Sequence, residues 1–304
     1  MEKTIVYIDG EAGTTGLKIR ERLERRGDVE LLTIPPELHK DVDERKRLLN
    51  AAEFVFLCLP DDAAREAVSL IDNPETRVID ASTAHRTCKG WVYGLPELSA
   101  EQEKEIRVSK RVAVPGCYAT GFIALVQPLV KAGIIPPDYP VSAYAVSGYS
   151  GGGKAAIFEY ENPDRPPELS GARLYALSQE HKHLPEMQKI CGLKHTPMFN
   201  PIIDDFYSGM VVCVPLQIRT LPKEYSVSDI LRAYKSRYPE NGRVRVIEDY
   251  DGAFLASNAL SGSDDIELFA FGNGEKILSV ARLDNLGKGA SGAAVQCFEL
   301  MRKN

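Results

Sequence analysis

Cys117 lies in the run Val114-Pro115-Gly116-Cys117-Tyr118-Ala119-Thr120-Gly121, after a strand-like segment and before the helix-like GFIALVQPLV. A cysteine at a helix start has its thiolate stabilised by open N–H groups and by the positive end of the helix dipole. A buried structural cysteine more often sits inside an element. Gly116 clears room for a carbonyl carbon to approach. A nucleophilic thiol also needs a proton carrier within hydrogen-bond reach. The chain has five histidines, and two of them, His181 and His183, fall in QEHKHLPEM. Pro185 suits the first turn of a helix, so both rings are expected just before one. In extended chain an i, i+2 pair projects to one side, and either ring is a candidate acid–base. HxH is also a zinc-ligand spacing, but no third ligand cluster accompanies it, and no metal is expected.

Two further segments have the composition of anion cradles. The first strand runs into Gly10-Glu11-Ala12-Gly13-Thr14-Thr15-Gly16 and then a helix. A dinucleotide site needs a tight turn, close backbone approach to the pyrophosphate and free N–H groups at a helix start. The spacing is GxxGxxG, a departure from GxGxxG. Strand 2 ends in Thr33-Ile34-Pro35-Pro36 and is followed by Glu37, Leu38, His39 and Lys40. Lys40 favours NADP over NAD, because the extra 2′-phosphate calls for a basic partner. Later, Ser147-Gly148-Tyr149-Ser150-Gly151-Gly152-Gly153-Lys154 follows a strand, and small residues there with the Lys154 charge suit an anion. A plain glycine-rich linker is the bland alternative.

These groups are positioned by an alternating pattern. Up to about residue 115, strands (Thr4 to Asp9, Glu30 to Ile34, Glu53 to Leu59, Arg77 to Ala81, Arg111 to Val114) alternate with helices such as Leu17 to Arg26 and AAREAVSLI. That pattern gives βαβ units and a parallel sheet. After Cys117 the strand-like runs lengthen (Val141 to Val146, Met210 to Ile218, Ile266 to Phe271, Lys276 to Leu283), and Val227 to Tyr238 is the clearest helix. A Gly- and Ala-rich helix from Lys288 to Met301 closes the chain. The expected fold is α/β: a Rossmann-type dinucleotide-binding domain plus an α+β substrate and dimerisation domain with a mixed sheet.

Composition limits the function. The chain has 304 residues, 44% hydrophobic and 26% charged, with a net charge of -6. There is no basic surplus to hold nucleic acid or an anionic membrane. No apolar run reaches the roughly 18 residues of a membrane-spanning helix. The start, MEKTIVYIDG, enters a strand directly, and a cytoplasmic location is expected. Six cysteines without a CxxC pair are expected to be reduced thiols.

Taken in order, GEAGTTGLKI, FLCLPDDAAREAV, VIDASTAHR, YGLPEL, PGCYATG, SGYSGGGK, EHKHLPEM and DNLGKGASGAAVQ make the chain resemble the N-acetyl-gamma-glutamyl-phosphate reductase family in its shorter variant, over nearly the whole length. The resemblance implies an NADP-binding domain of residues 1–116 and 285–304 and a catalytic domain of 117–284. It implies NADPH-dependent reduction of an acyl phosphate to a semialdehyde with phosphate release, through a thioester on Cys117. It carries the acid–base histidine onto His181 or His183, with Glu186 beside it on the substrate side. The cofactor contacts implied are Gly10, Gly13, Thr14, Thr15, Gly16, Lys40, Cys58, Leu59, Pro60, Ser82 and Asn285. Arg86, Ser147, Ser150, Lys154 and Glu186 are implied for the substrate. Longer relatives often carry an aromatic at Thr14-Thr15. The family usually forms homodimers or homotetramers. Rival readings are the same chemistry on aspartyl or aminoadipyl phosphate, a cysteine–histidine hydrolase or acyltransferase, and a non-catalytic NADP sensor. The last two leave either GEAGTTG or the cysteine unused.

Overall fold

The computed structural model describes residues 3–303. Contacts divide the chain into two units: one runs to Pro115 and resumes at Ala290, and the other is Gly116–Gly289. The return to the first unit therefore comes later than the expected residue 285.

The first unit is built on β1 (Thr4–Asp9), α1 (Thr14–Glu24), β2 (Val29–Leu32), α2 (Val42–Ala51), β3 (Phe54–Leu57), α3 (Asp61–Ser69), β4 (Arg77–Asp80), β5 (Val92–Tyr93), α4 (Ala100–Val108) and β6 (Arg111–Ala113). Its sheet runs β2-β1-β3-β4-β6-β5, with every pairing parallel. The apolar runs TIVYID and FVFL are buried on both faces, as parallel strands require. One strand pair is in register at Asp9↔Leu57, so the loops that follow β1 and β3 emerge together at the strands' C-terminal ends, where α/β sheets bind ligands.

The second unit opens with α5 (Cys117–Lys131), then β7 (Ser142–Gly148), α6 (Gly153–Glu161), β8 (Arg173–Leu174), α7 (Leu184–Cys191), β9 (Met198–Asp204), β10 (Met210–Gln217), α8 (Val227–Arg237), β11 (Val244–Val246), β12 (Ile266–Gly272) and β13 (Lys276–Leu283). Its mixed sheet has the order β11-β12-β13-β10-β7-β9-β8. Helix α5 is buried along almost its whole length. Gly121 lets it approach Val212 and Leu283 on β10 and β13. The opposite face carries Val211, Cys213, Phe269 and Val280, partly covered by Ile247, Tyr250 and Leu255.

The expected Lys288 to Met301 helix is a π-turn (Gly287–Ser291) followed by α9 (Gly292–Arg302) in the first unit. Phe298 is fully buried there, edge-on to Phe54 at 4.9 Å. Truncating such a ring to alanine costs about 3–5 kcal/mol. Among the described residues no helix is long and apolar enough to cross a membrane.

Candidate active site

Cys117 is the first residue of α5 and is half-buried. The N-cap is Gly116, with no side-chain cap and no acidic residue in the first turn. The positive end of the helix dipole therefore lies at the thiol with no acidic side chain from the helix's own first turn. The Gly116 N–H donates to Glu186 Oε2 at 3.2 Å. Glu186 is 1% exposed. The sequence placed it among substrate contacts; the structure uses its carboxylate to hold the turn that presents Cys117, which a buried acceptor in the first turn of α7 can do without reaching solvent.

His181 and His183 are not on extended chain as the spacing suggested. Leu184 N–H donates to the His181 carbonyl at 3.0 Å, which closes a turn, and His183 is helical in conformation as the N-cap of α7. The reason is local: the His183 N–H donates to His181 Nδ1 at 3.1 Å. That bond makes Nδ1 an acceptor and leaves the proton of a neutral His181 on Nε2. The rings stand 4.6 Å apart and nearly perpendicular. Both pack against Tyr118, with centroids 5.7 and 5.9 Å away. His183 is 4% exposed. Tyr118 and Tyr175 share a hydrogen bond, and burial pushes both hydroxyls up, with the neighbouring Cys117 adding to the effect. Sequence reasoning missed Tyr118 and Tyr175; only the tyrosine's place beside Cys117 was available as a signal. Among the described residues no three His, Cys, Asp or Glu side chains are grouped to hold a metal.

Ser147, Ser150 and Asn285 form one polar block. Asn285 Nδ2 donates to Ser150 Oγ at 3.0 Å, and its Oδ1 accepts from the Gly209 N–H at 2.8 Å. All three are at most 2% exposed. The sequence put Asn285 in the first domain beside the cofactor. It lies in the second unit, where both ends of its amide tie Ser150 to Gly209. Lys154 is exposed in the first turn of α6.

In the first unit, a cavity of about 410 Å³ is lined by Gly10, Glu11, Ala12, Ile34, His39, Lys40, Arg45 and Leu59, among others. Gly10 has φ +86°, and a Cβ there would lie 2.5 Å from the Cys58 carbonyl oxygen. Only glycine lets this loop lie against the end of β3. Helix α1 starts at Thr14 without a side-chain cap or an acidic residue in its first turn. Thr14 Oγ1 is buried with no hydrogen-bond partner. An uncapped helix start with an orphaned hydroxyl beside a cavity fits a dinucleotide pyrophosphate. Asp9, whose carboxyl burial pushes up while Arg45 pulls it down, pairs with Arg45 at 2.9 Å. Lys40 is exposed on the wall with no acidic partner among the described residues. Pro60 caps α3, and burial pushes the Cys58 thiol up. Ser82 is turned to Asp80: its N–H donates to Oδ1 and its hydroxyl to Oδ2, at 2.9 and 2.8 Å. Arg86 donates to the Val114 and Ala81 carbonyls.

Two family models match the chain: the semialdehyde dehydrogenase NAD-binding domain over residues 36–106 and the semialdehyde dehydrogenase dimerisation domain over 117–285. It is 49% identical to N-acetyl-gamma-glutamyl-phosphate reductase 2 of Pseudomonas putida, over 99% of this chain and 97% of that one. The like-named protein of a Nostoc species is 46% identical over 99% and 97%. The chain belongs to the N-acetyl-gamma-glutamyl-phosphate reductase family. Solved structures agree on the fold of this family. Aspartate semialdehyde dehydrogenase II of Vibrio cholerae, complexed with ASA, superposes with a TM-score of 0.73 at 17% identity, covering 100% of this chain and 99% of that one. The Candida albicans aspartate semialdehyde dehydrogenase with NADP gives 0.67 at 14%, over 99% of each.

Proposed function

We propose that the enzyme reduces N-acetyl-L-glutamyl 5-phosphate to N-acetyl-L-glutamate 5-semialdehyde with NADPH, releasing phosphate, by way of a thioester on Cys117. The observation that carries the reading is a half-buried cysteine on a helix start, followed by a tyrosine that packs against two histidines, in a chain nearly half identical to named reductases over nearly its full length.

The Cys117 thiolate attacks the acyl carbon, the oxyanion forms at the start of α5, and the C–O bond to phosphate breaks. Lys154 is the second unit's cation assigned to the departing phosphate. The histidines divide the work. His181, with Nδ1 occupied as an acceptor, offers an Nε2 proton to the substrate oxygen. His183 takes the Cys117 proton and returns it as the hemithioacetal collapses, regenerating the thiol. Glu186, through Gly116, positions the nucleophile. Gly10, Gly13, Thr14, Thr15 and Gly16 hold the dinucleotide's phosphates, and Lys40 the 2′-phosphate that makes NADP the preferred cofactor. When bound, the nicotinamide supplies the hydride that thioester reduction needs.

The same reading includes a cytoplasmic enzyme, consistent with six free cysteines, and a homodimer or homotetramer in which a second copy packs on the open face of the second unit's sheet.

The test follows NADPH formation from N-acetylglutamate semialdehyde, NADP and phosphate, before and after iodoacetamide. Phosphate-dependent activity that alkylation abolishes and substrate protects is expected. Activity on aspartate or aminoadipate semialdehyde alone would replace the substrate and keep the chemistry. No activity on any aldehyde would end the reading.

A further inference from the structure

Arg173 is the feature of the second unit that this mechanism leaves unused. Two arginines pack against Tyr160 of α6. Arg165 donates to the Tyr160 carbonyl and spends its charge on Asp205, at 2.7 Å from Nη1. Arg173 places its guanidinium 5.2 Å from the Tyr160 ring centroid, and its Nη2 donates to the Tyr160 hydroxyl at 2.9 Å. It faces no carboxylate among the described residues, and its Nε is buried without a hydrogen-bond partner. Tyr160 is itself 2% exposed and stacked on Tyr149 at 4.6 Å, so the platform under the guanidinium is rigid. A half-buried guanidinium, held in one orientation by Tyr160 and facing no carboxylate, suits an oxyanion.

Register ties Arg173 to the reaction centre. Arg173 pairs with Ile203 across β8 and β9, and Ile203 pairs with Ser147 across β9 and β7. Residues directly opposite one another share a sheet face. The Ser147 face is the one covered by α5, where Tyr118 meets Ser147 and Phe199. Two strand spacings set the Arg173 backbone roughly 10 Å from that of Ser147, about what an extended arginine and a small substrate span together. Tyr175, two residues on, packs its ring against Tyr118 and His181.

We infer that Arg173 is a specificity residue that binds the main-chain carboxylate of the acyl substrate, at the end of the molecule away from the reacting carbonyl. This rests on the proposed substrate class. A guanidinium–carboxylate pair explains how a short acyl phosphate is held in one orientation while Cys117 attacks its other end.

The test compares two aldehydes in the oxidative direction with NADP and phosphate: N-acetylglutamate semialdehyde, and 4-acetamidobutanal, which lacks only the carboxylate. For wild type, kcat/KM should favour the carboxylated aldehyde. Arg173→Met should lower kcat/KM for that aldehyde about 10- to 100-fold, chiefly through KM, and leave 4-acetamidobutanal unchanged, as loss of a charged hydrogen bond requires. Arg173→Lys should recover part of the loss. Equal falls on both aldehydes would show a merely structural arginine and overturn the inference. A raised KM for phosphate with the aldehyde preference intact would assign the residue to the other anion and also overturn it. Wild type inert toward both aldehydes would overturn the substrate reading and the inference together, whereas wild-type preference that Arg173→Met does not alter overturns the inference alone.

Discussion

At the scale of single residues, the cysteines separate by environment. Cys117 is half-buried at a helix start and Cys88 is exposed, whereas Cys58, Cys191 and Cys213 have thiols that burial pushes up, Cys213 to about 11. A raised thiol pKa means less thiolate at a given pH, so at pH 9 roughly one Cys213 in a hundred is reactive. Iodoacetamide on the native protein should therefore label Cys117 and Cys88 first, with Cys213 following only as the pH approaches 11. Peptide mass spectrometry reads this directly, and early labelling of Cys58 or Cys191 would contradict the burial argument. The two histidines make a second separable case. His183→Gln should lower kcat by about 10² to 10⁴ and slow thiol alkylation, because a base is lost. His181→Gln retains a side-chain donor, so it should cost less than about tenfold in kcat and leave the alkylation rate intact. Equal effects on alkylation would mean the assignment of roles is reversed or shared.

At the scale of elements, the strands rich in apolar and β-branched residues were legible: Thr4–Asp9 and Lys276–Leu283 have the bounds the sequence suggested, although Ser279 and Arg282 interrupt the second. Other elements were not. Helix α2 (Val42–Ala51) has an unbroken charged run, Asp43 to Arg47, and few apolar positions to mark a face. Strand β9 carries Asn200 and Pro201 within MFNPIID and is held by its neighbour β7 through long-range pairing that no local window contains. The turn at His181 depends on a side chain accepting a backbone N–H, which spacing alone does not encode. The cysteine, the glycine loop and the histidine pair were visible as motifs; Arg173 and Tyr118 needed the sheet to bring them near. Element ends also carry two predictions. A Cβ on Gly289 would lie 2.7 Å from Cys117 Cβ and 3.0 Å from the Asp284 carbonyl oxygen. Gly289→Ala should displace the start of α5 and reduce kcat by about 10²-fold, the cost of a misplacement near 1 Å, while circular dichroism shows the fold retained. Near-normal turnover would show that the helix start tolerates the shift. Lys40→Ala should raise the KM for NADPH about tenfold or more and leave that for NADH nearly unchanged, since only the former carries the 2′-phosphate. Parallel changes in both would remove Lys40 from cofactor selection.

At the scale of the whole molecule, the second unit's sheet has one face it cannot cover alone. On one half, Tyr250 and Leu255 lie over Phe269 and Val280. On the other, β7 and β9 are interior strands that nonetheless leave Tyr144 38% and Met198 61% exposed. Their register, Ser142↔Met198 and Tyr144↔Asn200, puts them on one face. Large apolar side chains exposed together on interior strands mark a contact surface, and residues 117–285 match a family model described as a dimerisation domain. A second copy about a two-fold axis would close the face by burying the same patch twice, and a stable pair needs about 800 Å² from each partner. Tyr144→Asp places a charge at its centre, where ionised carboxylates are costly to desolvate. The wild type should sediment at two or four times 33.6 kDa, and the variant should fall to the monomer mass on dilution with unchanged circular dichroism. Its melting temperature should also become more dependent on concentration, because subunit binding contributes to stability by mass action. A variant that keeps the wild-type mass at every concentration would move the interface to another surface.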